Sequence, residues 1–163
     1  KAIQLNPSLA EAHCNLGRIL IDFRNFKEAE LSLRKAIELK PNLVKSHFLL
    51  ASIFIQEERL IEAEIPLRKA IELNPEIADF HSNLGLILSY IGQSEEAELS
   101  FEKAIELNPD LAEPYCNLAQ ILRDKGEIHQ AQILSKKAML IRPWSIISSY
   151  SFNRRIKSKS TRK

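Results

Sequence analysis

The chain has 163 residues, 45% of them hydrophobic and 27% charged, which is ordinary for a water-soluble globular protein. No apolar run approaches the roughly 18–20 residues that a transmembrane helix needs, and no secretory signal pattern opens the sequence, so we expect a cytoplasmic location. The net charge of +2 is uneven, because residues 144–163 carry six basic residues and no acidic one. Residues 1–143 therefore hold 17 basic against 21 acidic residues and sum to −4.

A seven-residue motif ending in proline divides the chain into equal parts. It reads KAIQLNP at the start of the sequence and returns as KAIELKP, KAIELNP and KAIELNP, with a period of 34 residues. We interpret the opening copy as the end of a truncated upstream repeat, which would form at most a short helix. The prolines define these segments: 1–7 (end of an upstream unit), four full units at 8–41, 42–75, 76–109 and 110–143, and 144–163 after them.

Each unit is predicted to contain two α-helices. In the first unit, apolar residues at i, i+3, i+4 and i+7 predict one helix near 10–23 and a second near 27–39. Ser8 with Glu11, and Asp110 with Glu113, fit the capping box that begins a helix. The turns between paired helices contain Arg24-Asn25, Glu58-Arg59, Gly92 and Gly126, of which Glu58-Arg59 lacks a residue suited to the left-handed conformation.

Two further features concern proline and the residues after the last unit. Pro66 lies inside a second helix and is expected to kink it, because proline cannot donate to the carbonyl of Glu62. Pro114 falls in a first turn, where its missing N–H costs little. Residues 144–153, with Trp144 and other apolar side chains, are predicted to cap the last helix pair, and residues 154–163 form a basic tail predicted to be disordered.

The aligned columns closely resemble the tetratricopeptide repeat (TPR) family. This resemblance implies an all-α solenoid in which antiparallel helix pairs stack into a right-handed superhelix, with first helices on the concave surface and second helices on the convex one. It also implies a protein or peptide partner in the concave groove. The columns that carry it are Leu16, Leu50, Leu84, Leu118; Gly17, Ala51, Gly85, Ala119; Ala29, Ala63, Ala97, Ala131; Ala36, Ala70, Ala104, Ala138; and the repeated prolines.

The column that usually holds Trp in this family is filled by His13, His47, His81 and Tyr115. Histidines on successive units lie too far apart to share a metal, whose ligand nitrogens must approach within about 2.1 Å, so a packing role is predicted. Cys14 and Cys116 are three units apart and are expected to be free thiols on the groove side. No catalytic motif or cofactor-binding pattern occurs, so we expect neither an enzyme site nor a cofactor in this segment.

The groove positions of the family fall on polar and apolar side chains. Three units place Asn in one column, and a ladder of amides can hold the backbone of an extended peptide without reading its sequence. Leu49 interrupts this ladder, and Asp79 with Leu49 argues against a clamp for a C-terminal carboxylate. The predicted partner-binding residues are Asn15, Arg18, Phe48, Leu49, Asn83, Leu86, Tyr90, Asn117, Gln120 and Arg123.

The sequence therefore predicts a non-catalytic scaffold that binds a protein or peptide in its groove. The alternative is the substrate-recruiting arm of a larger glycosyltransferase, because the Asn column is similar to that in the TPR arm of O-linked N-acetylglucosamine transferases. No small-molecule substrate is expected. Contact between the basic tail and nucleic acid or anionic lipid is a weaker prediction.

Overall fold

The computed structural model describes residues 7–142 and divides into two compact units, Lys1–Glu76 and Ile77–Lys163. The described residues are helices and short turns without strands, so the all-α prediction is confirmed. The helices are α1 (Pro7–Asp22), α2 (Phe26–Leu39), α3 (Val44–Gln56), α4 (Leu60–Leu73), α5 (Ala78–Tyr90), α6 (Ser94–Leu107), α7 (Ala112–Asp124) and α8 (Ile128–Ile141).

The two units have the same internal packing. In unit 1, α1 pairs with α2 and α3 with α4, while α3 also packs on α1 and α2. Unit 2 repeats this arrangement with α5 to α8. Each 34-residue period therefore contains one helix pair, as the sequence predicts. The predictions for residues 1–6 and 143–163, including the capping segment and the basic tail, concern residues outside the described range.

Small residues allow the helices of a pair to approach closely. A Cβ added to Gly17 would lie 2.6 Å from Cγ of Leu33, and one added to Gly85 would lie 2.7 Å from Cε1 of Phe101. Leu33 and Phe101 are completely buried. Steric contact with the large residue of the second helix thus explains the glycines at 17 and 85, where no room is left for a methyl group, whereas the other two repeats accommodate Ala51 and Ala119 at this position.

The turn within each pair contains one residue with positive φ, always at the same repeat position. Gly92 and Gly126 have φ values of 87° and 85°, and Arg24 and Glu58 have values of 58° and 61°. Glu58 thus adopts the left-handed conformation although its side chain does not favour it. The left-handed conformation of this turn is therefore imposed by packing between the paired helices. Only two of the four turns have glycine, the residue type that favours it.

Two local predictions need correction or remain open. The capping box at Asp110 is wrong: α7 begins at Ala112 with Leu111 as its N-cap, and the N–H of Asp110 instead donates to Oδ1 of Asn108 at 3.1 Å. Asn108 therefore forms a turn of its own, which delays the helix. Helix α4 continues without interruption through Pro66, and a bend there stays a prediction.

Two more predictions concern the first turns of helices. Helix α1 begins at Pro7, so Ser8 is the second residue of the helix and not the N-cap that the predicted capping box with Glu11 requires. Pro114 is the third residue of α7, in the first turn as predicted. No helix among residues 7–142 is both long and apolar enough to cross a membrane.

Candidate peptide-binding faces on the first helices

In unit 1, the predicted site residues lie on α1 and α3. Asn15 and Arg18 are exposed on α1, and Phe48 and Leu49 are partly exposed on α3. The Lys45 ammonium of α3 donates to Oδ1 of Asn15 over 3.4 Å, which places these positions of the two helices on a common surface. We call the surface formed by Asn15, Arg18, Phe48 and Leu49 the unit 1 face.

Charged side chains surround the unit 1 face. Arg18 pairs with Asp22 one turn later, at 3.5 Å between Nη1 and Oδ2. The Arg18 side chain is 49% exposed and that of Asp22 is 65% exposed, so this pair contributes little to stability and its groups stay accessible. The face therefore offers a cation, an amide and two apolar side chains.

In unit 2, all six predicted residues are partly exposed on the packed helices α5 and α7. The unit 2 face consists of Asn83, Leu86, Tyr90, Asn117, Gln120 and Arg123. Asn83 and Asn117 occupy the same repeat position on neighbouring helices. This is the arrangement that a ladder of two amides requires.

The polar groups of the unit 2 face differ in how far they are engaged. Nδ2 of Asn83 donates to the carbonyl of Asp79 at 2.9 Å, within its own helix. No hydrogen bond joins the Asn117 amide to another described residue. Asn117 can therefore offer both donor and acceptor to a ligand, whereas Asn83 must exchange its helix bond to donate.

A hydrogen-bonded network at the end of α7 holds the two remaining polar residues. Nε2 of Gln120 donates to Oδ1 of Asp124 at 2.8 Å, and Nη1 of Arg123 donates to Oε1 of Gln120 at 2.7 Å. Nη2 of Arg123 lies 3.5 Å from Oγ of Ser135 on α8. Ser135 occupies the position that holds Leu or Phe in the other three 34-residue repeats, so its smaller side chain leaves room for the guanidinium of Arg123.

Tyr90 is the aromatic residue of the unit 2 face. Partial burial raises the pKa of its phenol to about 12 because low polarity disfavours the anion. Tyr90 therefore contributes a neutral aromatic ring to the unit 2 face at neutral pH.

The cysteine prediction requires a correction. Cys14 is almost completely buried, with 2% of its surface exposed, and does not contribute to the unit 1 face. Cys116 is partly exposed, and both thiols are free. The small, weakly polar thiol packs readily in a protein interior. The repeat position of Cys14 does not show which neighbouring side chains cover it, so its burial could not be predicted from the sequence.

The histidine column has no metal site in the described residues, since no group of three His, Cys, Asp or Glu side chains is arranged to hold an ion between residues 7 and 142. His47 is buried, and its Nε2 lies 2.7 Å from the carbonyl of Pro41. Because a carbonyl can only accept, this ring nitrogen carries a proton. The packing role predicted for this column fits His47 and the buried Tyr115.

One ionic network was missed from the sequence. Glu30 pairs with Arg34 one turn later at 2.8 Å, and Nη1 of Arg59 also donates to Oε2 of Glu30 at 2.9 Å. Burial alone would raise the pKa of Glu30, but hydrogen bonds from Arg59 and Arg34 outweigh it and hold the pKa below its usual value. The network connects α2 with the turn between α3 and α4.

Arg59 also makes contacts within its own turn and helix. It donates to Glu62 and Glu57, which raises its pKa further above the usual value, and its guanidinium lies 4.3 Å from the centre of the Phe54 ring. The sequence held one signal of this network: the second repeat has Arg59 at a turn position where the other repeats have Asn25, Gln93 and Glu127. Its role is structural, because it joins the two helix pairs of unit 1.

Family models of the tetratricopeptide repeat match residues 10–43, 44–77, 78–111 and 100–133. Together these matches cover residues 10–133. The chain belongs to the tetratricopeptide repeat family. The first three TPR matches are spaced by 34 residues, the same period as the prolines.

Solved TPR structures resemble this chain over most of its length. A crystal structure of MamA has 26% sequence identity, a TM-score of 0.78, and a match covering 85% of this chain and 81% of that chain. PilF of Pseudomonas aeruginosa has 25% identity and a TM-score of 0.72, over 83% of this chain and 62% of its own. The first TPR of Spaghetti (RPAP3), solved with the HSP90 peptide SRMEEVD, has 21% identity and a TM-score of 0.72, over 77% and 99%. No curated protein matches the chain in sequence.

Proposed function

We propose that this TPR protein is a scaffold that binds an extended segment of a partner protein on the first-helix faces of its repeats. The observation that carries the proposal is the pair Asn83 and Asn117, partly exposed at the same repeat position on the packed helices α5 and α7. A carboxamide can donate and accept at once, which matches the alternating N–H and C=O groups of a peptide.

A TPR relative supports a peptide as the ligand class. The RPAP3 repeat was solved with a peptide, SRMEEVD, that ends in acidic residues. This chain differs in charge, because Asp79 is exposed on α5 one turn before Asn83. A carboxylate near Asp79 would be repelled. We therefore propose a neutral or basic segment in place of an acidic C-terminus.

The unit 1 face contributes apolar contact in this proposal. Phe48 and Leu49 are partly exposed on α3, beside the Asn15 and Lys45 pair. An aromatic ring with adaptable polar neighbours is a common anchor at protein interfaces. The glycosyltransferase alternative gains no support from the matched family models, which are those of TPR repeats.

The test is selection of peptides from a random library by the intact protein, followed by titration of a selected peptide. Asn83→Ala/Asn117→Ala should weaken binding by about tenfold, because two hydrogen bonds of about 0.5–1.5 kcal/mol each are lost. Phe48→Ala should weaken the binding of those selected peptides that the unit 1 face holds. Circular dichroism should show unchanged helicity in each variant.

The matched control is Gln130→Ala/Gln132→Ala, which removes two exposed carboxamides from the second helix α8. This control should leave peptide affinity unchanged. If the folded Asn83/Asn117 variant binds as tightly as the wild type, or if the glutamine control loses as much affinity, the first-helix faces are not the binding site.

A further inference from the structure

Helix α8 differs from the other second helices in its charge. The helices α2, α4 and α6 each carry glutamate at three matched positions, where α8 has Gln130, Gln132 and Leu140. The lysine column is retained as Lys137, with Lys136 before it. All acidic side chains of the second-helix pattern are thus lost in α8 while its cations remain.

The loss of these glutamates also removes an ion pair that each of the other three repeats has on its second helix. Lys35 pairs with Glu38 at 2.9 Å, Lys69 with Glu72 at 2.7 Å, and Lys103 with Glu106 at 2.9 Å, each at i, i+3. At the fourth position Lys137 faces Leu140, and its ammonium lies 4.8 Å from the centre of the Tyr115 ring. Its charge is not neutralised by an acid on its own helix.

Apolar side chains lie exposed beside these cations. Leu140 is 85% exposed, Ile133 is 53% exposed and Met139 is 52% exposed. One side of α8 holds side chains at the helical spacing i, i+3, i+4 and i+7. These side chains are Ile133, Lys136, Lys137 and Leu140. We call Ile133, Lys136, Lys137, Met139 and Leu140 the α8 outer face.

The sequence around α8 continues the same trend. Residues 128–163 contain nine basic and no acidic residues. The uncharged stretch PWSIISSYSFN at 143–153 holds apolar and aromatic residues, and six of the cations follow it at 154–163. Clusters of basic residues on or beside a helix with exposed apolar side chains are typical of sites that pair with anionic lipid headgroups.

We propose that the α8 outer face docks on an anionic lipid membrane surface. Leu140, Ile133 and Met139 enter the headgroup region, while Lys136 and Lys137 pair with lipid phosphates and carboxylates. Lipid is favoured over nucleic acid because Leu140, Ile133 and Met139 lie exposed beside the lysines, and contact with a phosphate backbone needs cations but no exposed apolar side chains. This inference is independent of the peptide-binding proposal, since it concerns second-helix positions.

The experiment measures partition of the full chain onto phosphatidylcholine vesicles with and without phosphatidylserine. We expect binding only when phosphatidylserine is present, and weaker binding at high salt. Leu140→Glu should reduce binding by about tenfold, because it removes an inserted side chain and adds a negative charge. The variant restores the residue found in the other units, where it can pair with Lys137, so folding should be retained.

The matched control is Leu99→Glu on α6, where an aliphatic residue is 65% exposed among glutamates. It should leave vesicle binding within about twofold of the wild type, as an exposed substitution away from the contact does. Equal losses in both variants, or equal binding to phosphatidylcholine alone, would overturn the proposal.

Two other occupants of the α8 outer face have distinct outcomes. If the chain's own residues 144–153 cover it, Leu140→Glu lowers the melting temperature without vesicles, and the membrane proposal fails. If the partner is nucleic acid, the full chain binds a double-stranded oligonucleotide but not the phosphatidylserine vesicles, which also overturns it.

Discussion

The first and second helix pairs of unit 1 place the same residues at matched positions but bury them to different extents. Leu16 of α1 is 47% exposed, whereas Leu50 of α3 is 4% exposed. Ile19 is 44% exposed and Ile53 is completely buried. Helix α3 packs on α1, α2 and α4, while α1 packs on α2 and α3. The repeat position selects the residue type, and the neighbouring helices determine how much that residue stabilises the fold.

The largest expected effect compares the two leucines directly. Leu50→Ala should lower the free energy of unfolding by about 3 kcal/mol, because it leaves a cavity in a filled interior. Leu16→Ala should cost about 1 kcal/mol or less, since its side chain is half exposed already. Chemical denaturation followed by circular dichroism measures both values. Equal costs would show that α1 is buried in solution to the same degree as α3.

A smaller effect is expected at the turns. Arg24 has a φ of 58° and an exposed side chain, so Arg24→Gly should stabilise the protein by about 1 kcal/mol through relief of left-handed strain. Gly126→Ala should cost about the same amount, and an added Cβ there meets nothing within 4 Å, so strain alone is measured. A destabilised Arg24→Gly variant would indicate that the arginine side chain has a role of its own.

The smallest effect concerns the ionic network that joins the two pairs of unit 1. The pKa of Glu30 is lowered in the folded protein, so its ionised form contributes stability that is present above the unfolded pKa of about 4.3. This contribution is lost as the pH falls through the lower folded pKa. Glu30→Gln should therefore be less stable than the wild type by about 0.5–1 kcal/mol at pH 7, and the difference should shrink toward pH 3.

Thermal melts of both proteins across this pH range test the network. Glu38→Gln serves as a control, because within residues 7–142 Glu38 pairs with a single exposed lysine, and the change should alter stability by less than about 0.5 kcal/mol. A Glu30→Gln difference that is constant down to pH 3 would exclude ionisation of Glu30 as its cause.

The repeat period allowed most of the fold to be predicted. The prolines, the glycine and alanine columns and the apolar spacing located eight helices and their pairing, because each signal recurs four times. The ten candidate binding residues are exposed or partly exposed on the first helices, although their role in binding stays a prediction. The repeat period predicts which face of a helix a residue occupies, but it does not predict which side chains of other helices that residue contacts.

The failures have this common origin. Cys14 and Leu16 sit in columns whose burial varies between units, so exposure could not be deduced from the column alone. At Asp110, the backbone N–H that a capping box would use donates to the Asn108 side chain instead. Arg59 reaches Glu30 across 29 residues of sequence, a distance that no local pattern encodes.

The left-handed turn residue has a consequence for the order of folding. In unit 2, we expect Gly92 and Gly126 to let each hairpin close before the side chains dock, because glycine accepts this geometry without strain. In unit 1, we expect the hairpins at Arg24 and Glu58 to close only once helix contacts can offset the strain. The gain from Arg24→Gly should then appear in both the folding and the unfolding rate, shared according to how far the turn has formed in the transition state.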